Sequence, residues 1–453
     1  MVTLTNRIRS LKKNGDFRNI FFGLLSYFIT PVALFFSTPL LLHHLGSSAY
    51  GVWILINSIV IFMTFSNFGL GNAMVKLGSE YIQDSEDEKN QFNRLFNVTF
   101  TLSIIATFII MILVAILGPF LLKIIIKEYT GSEIRIMCYL LGVIVSSKVM
   151  NSVIASTFMA KQRFDLNSKI NICINLISVF VYTSIAVLTG SLMLLISALL
   201  ISNIVLLLTS ALIAKKIIPE LKFTLYLNRE LTRKVISFGV YTWFQALSIT
   251  LLGQLDKIII GSVLGPSALG YYSVCMTLAF KIHEIPVSAG GFLLAKFSSL
   301  ESAQKYDETK MSYHRAFLIK TIFIICSTFI MVAFGKNILS IWINPEFAAQ
   351  HYRLFQSLAI GVGSGAFIIL PFYYMNAAGF VRLNSILSLA TTSISIGLLY
   401  VLIPYNGLYS VAIGKLACIP FIMYALFFVQ RKLRNKTQVD TELKTVENSM
   451  GVT

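Results

Sequence analysis

The sequence predicts an all-α membrane protein, and three observations carry that expectation. The 453-residue chain is 56% hydrophobic and only 13% charged, with a mean hydropathy of +0.76. Soluble domains carry about 25% charged residues. Its apolar residues gather into twelve stretches, most near the ~20 residues that a helix needs to cross a bilayer. A duplicated motif then divides the twelve into two sets of six. Hydrocarbon offers backbone N–H and C=O groups no water, so such stretches must pair their own backbone as helices. The expected architecture is twelve transmembrane helices in two parallel six-helix halves around a central cavity.

The first span covers roughly 20–42 and follows Arg7, Arg9, Lys12, Lys13 and Arg18. It is too long for a signal-peptide core and lacks a small-residue cleavage site, so it is expected to be retained. Spans two to six cover roughly 51–75, 96–118, 134–160, 170–188 and 192–214. Spans seven to twelve cover roughly 235–260, 269–295, 321–335, 354–378, 384–403 and 408–429. The ninth is short, and its helix is expected to begin before residue 321.

Net charge is +17, and its distribution sets the topology. Most of the Lys and Arg residues fall before span one, after the even-numbered spans and in the tail. The opposite loops hold only Lys123, Lys127, Lys336 and Arg353. The positive-inside rule then puts both termini in the cytoplasm. The basic rim favours anionic lipid headgroups. Nucleic acid is excluded as a partner, because these cations flank spans and form no single exposed patch. The expected domains are an N-terminal lobe over 1–214, a linker over 215–234, a C-terminal lobe over 235–430 and a disordered tail over 431–453. The linker is polar and broken by Pro219, which suits relative motion of the halves.

The duplication is visible in short matches. Leu45-Gly46-Ser47-Ser48-Ala49-Tyr50-Gly51 follows span one, and Leu264-Gly265-Pro266-Ser267-Ala268-Leu269-Gly270 follows span seven, 219 residues on. Phe22-Gly23 and Phe238-Gly239 open the same two spans. Leu166-Asn167-Ser168 and Leu383-Asn384-Ser385 follow spans four and ten, 217 residues apart. Both halves start on one side, so the repeats are parallel, and transporters of this kind bind substrate between them.

Cys138, Cys173, Cys275, Cys326 and Cys418 all lie within spans without metal or redox spacing. His43-His44 lacks further ligands. No metal or other cofactor is expected.

Ionisable groups at membrane depth mark function by default. Asp256 and Lys257 end span seven, with Asp256 on one face with Gln245 and Ser248. In span eight, Thr277, Lys281, Glu284, Ser288 and Gly291 form a polar stripe, Lys281 can pair with Glu284, and His283 faces nearly the other way. Pro286 is expected to kink the helix just after them. Lys148 lies in span four beside Asn151 and Ser152, and Lys415 in span twelve. Arg135 reads as a snorkelling boundary residue. Substrate binding is assigned to Lys148, Lys257, Lys281 and Lys415, and ion coupling or charge pairing to Asp256, Glu284 and His283. The bland alternatives are structural pairs for the charges and core packing for His283. Tyr27, Trp53, Trp243, Tyr271, Tyr272, Tyr373 and Tyr374 could stack on sugars, against a stronger case for packing or an interfacial belt. Pro31, Pro39 and Pro371 interrupt spans one and ten.

The span count, the Leu-Gly-x-Ser-Ala-x-Gly turns and Asp256-Lys257-Ile258-Ile259-Ile260-Gly261 leading into the second turn resemble a known group. It is the polysaccharide-transport branch of the multidrug/oligosaccharidyl-lipid/polysaccharide exporter superfamily, the Wzx-type O-antigen and capsule-repeat flippases. The resemblance covers the chain to about residue 430. It implies a non-enzymatic flippase of the bacterial inner membrane that moves an undecaprenyl-diphosphate-linked oligosaccharide to the outer leaflet by alternating access. It further implies coupling to protons or sodium ions, and contact with polysaccharide polymerase machinery. Independently, a cation excess at membrane depth suits an anionic diphosphate. A drug or cation antiporter would need an anionic or apolar pocket. A membrane-embedded glycosyltransferase or polymerase would need a catalytic loop, and the longest outside loop, about 336–353, shows none.

Overall fold

A computed structural model describes residues 15–63, 68–81, 86–126, 129–288 and 290–449. Arg7, Arg9, Lys12, Lys13 and Lys127 lie outside these residues. The side chains of Tyr27, Pro31, Trp243, Gln245, Ser248 and Ser288 also lie outside the description. Among the described residues the regular structure is helical throughout. The first compact unit, Met1–Gly270, holds α1 (Gly15–Met63), α2 (Leu70–Gly78), α3 (Glu86–Ile125), α4 (Gly131–Ala160), α5 (Phe164–Thr189), α6 (Leu192–Ile217) and α7 (Arg229–Leu264). The helix α8 (Pro266–Ala279) begins at its end. The second unit, Tyr271–Thr453, holds α9 (Lys281–Ser288), α10 (Gly290–Ser302), α11 (Tyr306–Ala333), α12 (Gly335–Trp342), α13 (Pro345–Ala366), α14 (Ile369–Ala377), α15 (Val381–Asn406), α16 (Ser410–Leu416) and α17 (Ile419–Ser449).

Every expected span falls on helix within the described residues. Eight helical segments there are long and apolar enough to cross a membrane by length and composition alone. The ninth span lies in α11, which starts at Tyr306, well before residue 321. Large apolar side chains such as Phe108, Ile116, Phe120 and Leu212 are exposed, which in this setting means facing lipid. Several helix starts carry capping side chains. Thr130 and Glu133 form a reciprocal capping box on α4. Asn344, followed by Pro345, caps α13 through the Phe347 N–H at 2.7 Å.

The duplication is written in the backbone. Gly46 (φ 76°, ψ 166°) and Gly265 (φ 86°, ψ 171°) share a conformation open essentially to glycine alone. After spans four and ten the same turn recurs. Gln162 and Gly379 both have positive φ, Arg163 N–H bonds Phe158 O at 2.9 Å, and Phe380 N–H bonds Met375 O at 2.8 Å. Gly190 and Gly407 repeat the pattern, with N–H groups bonded to Ala186 and Ile403 carbonyls.

Within the first unit the two duplicated turns touch. A Cβ on Gly51 would overlap the Pro266 carbonyl, and one on Gly270 would sit 2.5 Å from Ser47 O. In the repeat register Ser47 matches Pro266 and Gly51 matches Gly270, so the contact is reciprocal, as in a two-fold interface.

The compact units divide after Gly270, later than the expected lobe boundary, because α7 packs on α1, α2 and α3. The connection over 218–228 is no free linker. It runs extended along α3, with Lys89 paired to Glu220 at 3.0 Å. Asn93 Oδ1 accepts from Lys222 N–H (3.2 Å), Asn97 Oδ1 from Thr224 N–H (3.0 Å) and Thr101 Oγ1 from Tyr226 N–H (3.0 Å). Four helical residues rise about 6 Å and two extended residues about 6.6 Å, so the two spacings stay in step. Leu221 is buried and Phe223 packs edge-on against Phe96 at 5.2 Å. The tail also departs from the expected disorder. α17 continues to Ser449, since its Lys, Arg, Glu and Gln residues are good helix formers.

Gly265→Ala should cost about 1–3 kcal/mol through backbone strain alone, because the space around it is open. Gly51→Ala should cost at least as much through steric overlap, and thermal unfolding in detergent ranks the two. Asn97→Ala should expose the 218–228 segment to protease, measured by limited proteolysis. The Glu220 carboxyl is held below the usual carboxylate range by its own backbone N–H and then by Lys89. A depressed acid stabilises above its unfolded pKa and loses that stabilisation as pH falls. Cleavage in this segment should therefore rise once pH drops through the carboxylate range.

Candidate functional site

All seven residues assigned to the site are half-buried. The first unit holds Lys148, Asp256 and Lys257. Lys148 on α4 has no hydrogen-bond or ion-pair partner among the described residues, while neighbouring Ser147 satisfies itself on Val143 O at 2.8 Å. Lys257 donates to Gln254 Oε1 at 3.2 Å on its own helix.

The second unit holds Lys281, His283, Glu284 and Lys415. Lys281 and Glu284 form an i, i+3 ion pair, each side chain about one-fifth exposed (23% and 19%). The helix is interrupted at Phe280, ahead of this pair, and Pro286 lies inside α9. That helix ends at Ser288, two residues past Pro286, and residue 289 lies outside the described residues. His283 points away from the ion pair, stacks on Phe280 at 5.1 Å, and lines a cavity of about 200 Å³ with Lys415. Thr391, Thr392 and Ser395 of α15 add hydroxyls to the same cavity. Gly361 of α13 lets α16 come close, since its Cβ would sit 3.3 Å from Lys415 Cβ. Lys415 itself has no hydrogen bond or ion pair among the described residues. A cation without a fixed counter-charge, an imidazole and several hydroxyls form a surface suited to an anionic or hydroxyl-rich group.

One buried cation escaped the sequence reading. Lys320 was counted with the basic residues after span eight. It is buried (8% exposed) within α11, and its Nζ donates to Phe367 O at 2.9 Å. Phe367 lies in the break between α13 and α14. Pro371, four residues on, has no N–H to give that carbonyl. Lys320 supplies the missing donor, with Phe317 and Phe367 rings 5.5 and 5.8 Å from its ammonium. The signal was present: Ala316-Phe317-Leu318-Ile319 precedes Lys320, and Pro371 was already marked as a helix breaker.

A family model described as polysaccharide biosynthesis protein matches residues 41–289, more than half of the chain. The chain belongs to that family. A putative O-antigen transporter of Shigella flexneri is 20% identical over 414 residues, covering 88% of this chain and 93% of that protein. An uncharacterised membrane protein of Methanocaldococcus jannaschii is 22% identical, covering 88% and 78%. Among solved structures, the lipid II flippase MurJ in an inward closed conformation superposes with a TM-score of 0.72 at 14% identity, covering 96% of this chain and 93% of that one. An inward-facing MATE multidrug transporter of the MOP superfamily gives 0.70 at 12% identity, covering 92% and 99%. This family member therefore has the fold of those transporters, and it is a multi-pass membrane protein.

The aromatic candidates sort by burial. Trp53, Tyr272 and Tyr374 are buried in packing, and Tyr374 donates to Glu301 at 3.0 Å. Tyr271 stacks on His351 at 4.2 Å. Arg135 is exposed, in keeping with a boundary role.

Lys320→Met should leave the Phe367 carbonyl without its donor and cost about 1–3 kcal/mol. The check is the unfolding temperature of the purified protein, with Lys336→Met, at an exposed lysine, as the control.

Proposed function

We propose that this protein is a flippase for a lipid-diphosphate-linked oligosaccharide. The cargo would be an O-antigen or capsule repeat unit on undecaprenyl diphosphate, moved from the cytoplasmic to the outer leaflet by alternating access. Both termini lie in the cytoplasm in this reading. The family match carries the proposal, and the cationic character of the membrane-depth groups supports the anionic cargo. Lys148, Lys257, Lys281 and Lys415 bind the diphosphate and sugar, with attraction strengthened by the low dielectric. Asp256, Glu284 and His283 serve the coupling ion, a proton or a sodium ion.

The ion pair gives these roles a physical link. Glu284 and a diphosphate compete for Lys281. Neutralising Glu284, by a proton or by a sodium ion on its carboxylate, frees Lys281 for the cargo. A bound ion then shifts the inward–outward equilibrium only as far as its affinity differs between the two states. Lys148 and Lys415 have no such competitor in hydrogen-bonding reach among the described residues, and so are the cations best placed to hold an anion throughout.

The test is lipid extraction from cells lacking the protein, with lipid-linked oligosaccharides quantified by mass spectrometry beside surface polysaccharide. Complete repeat units should accumulate while surface polysaccharide disappears. Incomplete units would indicate an enzyme instead, and unchanged lipids with raised sensitivity to toxic cations an antiporter. Re-expressed Lys415→Ala should restore less than about a tenth of export at normal protein level, as expected for loss of a charge-assisted contact of ~1.5–3 kcal/mol. Lys281→Ala should also fail, whereas Glu284→Gln should still bind cargo but lose dependence on the ion gradient.

A further inference from the structure

A second cavity lies in the first unit, apart from every residue assigned above. It measures about 660 Å³ and is lined by Leu102 and Ile105 of α3, Leu227 of the stapled segment, and Arg229, Thr232 and Arg233 of α7. Its two ends differ in chemistry. One carries two guanidinium groups and a hydroxyl, and the other is apolar.

The arginines are the informative part. Arg229 and Arg233 are four residues apart on one face of α7, where like charges repel. Both are exposed, and neither has an ion-pair partner among the described residues. Glu230, the nearest carboxylate in sequence, is taken by Lys234 at 2.7 Å. An anion between the two guanidiniums relieves the repulsion and receives planar, fork-like donors, the geometry that matches phosphate.

The apolar end says where that anion comes from. Leu102 and Ile105 sit in the hydrocarbon-spanning stretch of α3, inward of its charged start at Glu86-Asp87-Glu88. Ile105 is 43% exposed, and Leu225 and Leu227 of the stapled segment are 73% and 56% exposed. An exposed run of Leu225, Tyr226 and Leu227 ending in Arg229 has the composition of a chain lying in the headgroup boundary. The ladder of Asn93, Asn97 and Thr101 holds that run in place against α3. A free phosphate would use only the arginines and leave the apolar end of the cavity without an occupant.

We propose that this cavity holds an anionic phospholipid of the surrounding bilayer, its phosphate between Arg229 and Arg233 and an acyl chain along Leu102, Ile105 and Leu227. The site is independent of the flippase reading. It would tie the stapled segment and the start of α7 to the membrane surface.

Native mass spectrometry of the full chain, released from nanodiscs of phosphatidylglycerol and phosphatidylcholine in equal parts, tests it. The wild type should retain phosphatidylglycerol in preference to phosphatidylcholine. R229Q/R233Q should lower that retention about tenfold, since each basic residue near an anionic surface contributes a several-fold preference. K215Q/K216Q removes the same charge from the same rim and should leave retention unchanged. Ile105→Trp, which fills the apolar end without altering charge, should also release the lipid. Equal retention of both lipids by the wild type, or unchanged phosphatidylglycerol in R229Q/R233Q, would overturn the proposal. Displacement by excess inorganic phosphate would assign the site to a free anion. Displacement by undecaprenyl phosphate at far lower concentration than by phosphatidylglycerol would assign it to the transported lipid. Either result also overturns the proposal.

Discussion

Hydrocarbon supplies no hydrogen-bond partner, and that single constraint reaches from the helix count to the position of individual lysines. It requires that polar backbone at membrane depth be satisfied from within the chain. Where α13 gives way to α14, Pro371 has no N–H for the Phe367 carbonyl, and the cost of leaving such a group unpaired in a dry setting is high. The chain answers with Lys320 Nζ at 2.9 Å. A lysine is an expensive donor at that depth. What it provides is reach: a four-carbon stem from a neighbouring helix, with aromatic faces beside the charge. The break in the helix and the buried cation are thus one feature seen from two elements.

The same constraint shapes the contact between the duplicated turns. Helices without hydrophobic drive between them associate through close packing, and small residues allow backbones to approach. Gly51 against Pro266 and Gly270 against Ser47 carry this to its limit, with backbone meeting backbone twice. Gly46 and Gly265 turn the chain into that contact through a conformation that side chains disfavour. Two glycines are needed for shape and two for space, which accounts for the Leu-Gly-x-Ser-Ala-x-Gly motif surviving in both halves of this sequence.

Features with long, regular signals were legible from sequence, and features that depend on one partner were not. The spans announced themselves by length and hydropathy, and the duplication by its turn glycines. The Lys281–Glu284 pair was readable because both partners share one helix at i, i+3. Lys415 and His283 were each visible, but nothing in the sequence joins them, since their common cavity arises from α9, α13, α15 and α16 packing together. Lys320 was missed because its partner is a backbone carbonyl 47 residues away. The expected linker over 215–234 reads as free because it is polar and broken by Pro219, whereas the order of its 218–228 stretch comes from Asn93, Asn97 and Thr101, which only a helical register sets in line.

The charges at membrane depth divide by how their counter-charge is supplied, and that division bears on mechanism. Lys281 is met by Glu284 and Lys257 by the Gln254 amide, so both begin occupied. Lys148 and Lys415 have no hydrogen-bonded partner among the described residues. A buried ammonium without a partner is destabilising to the chain that holds it. The penalty diminishes when an anion arrives, so the groups that cost most in the empty protein are those with most to gain on binding. By that argument an anion bound at membrane depth would gain most beside Lys148 and Lys415. Of the occupied lysines, Lys281 is the one whose availability would depend on the state of a neighbouring carboxylate, that of Glu284. A transporter needs both kinds, one to hold the cargo and one to make holding conditional.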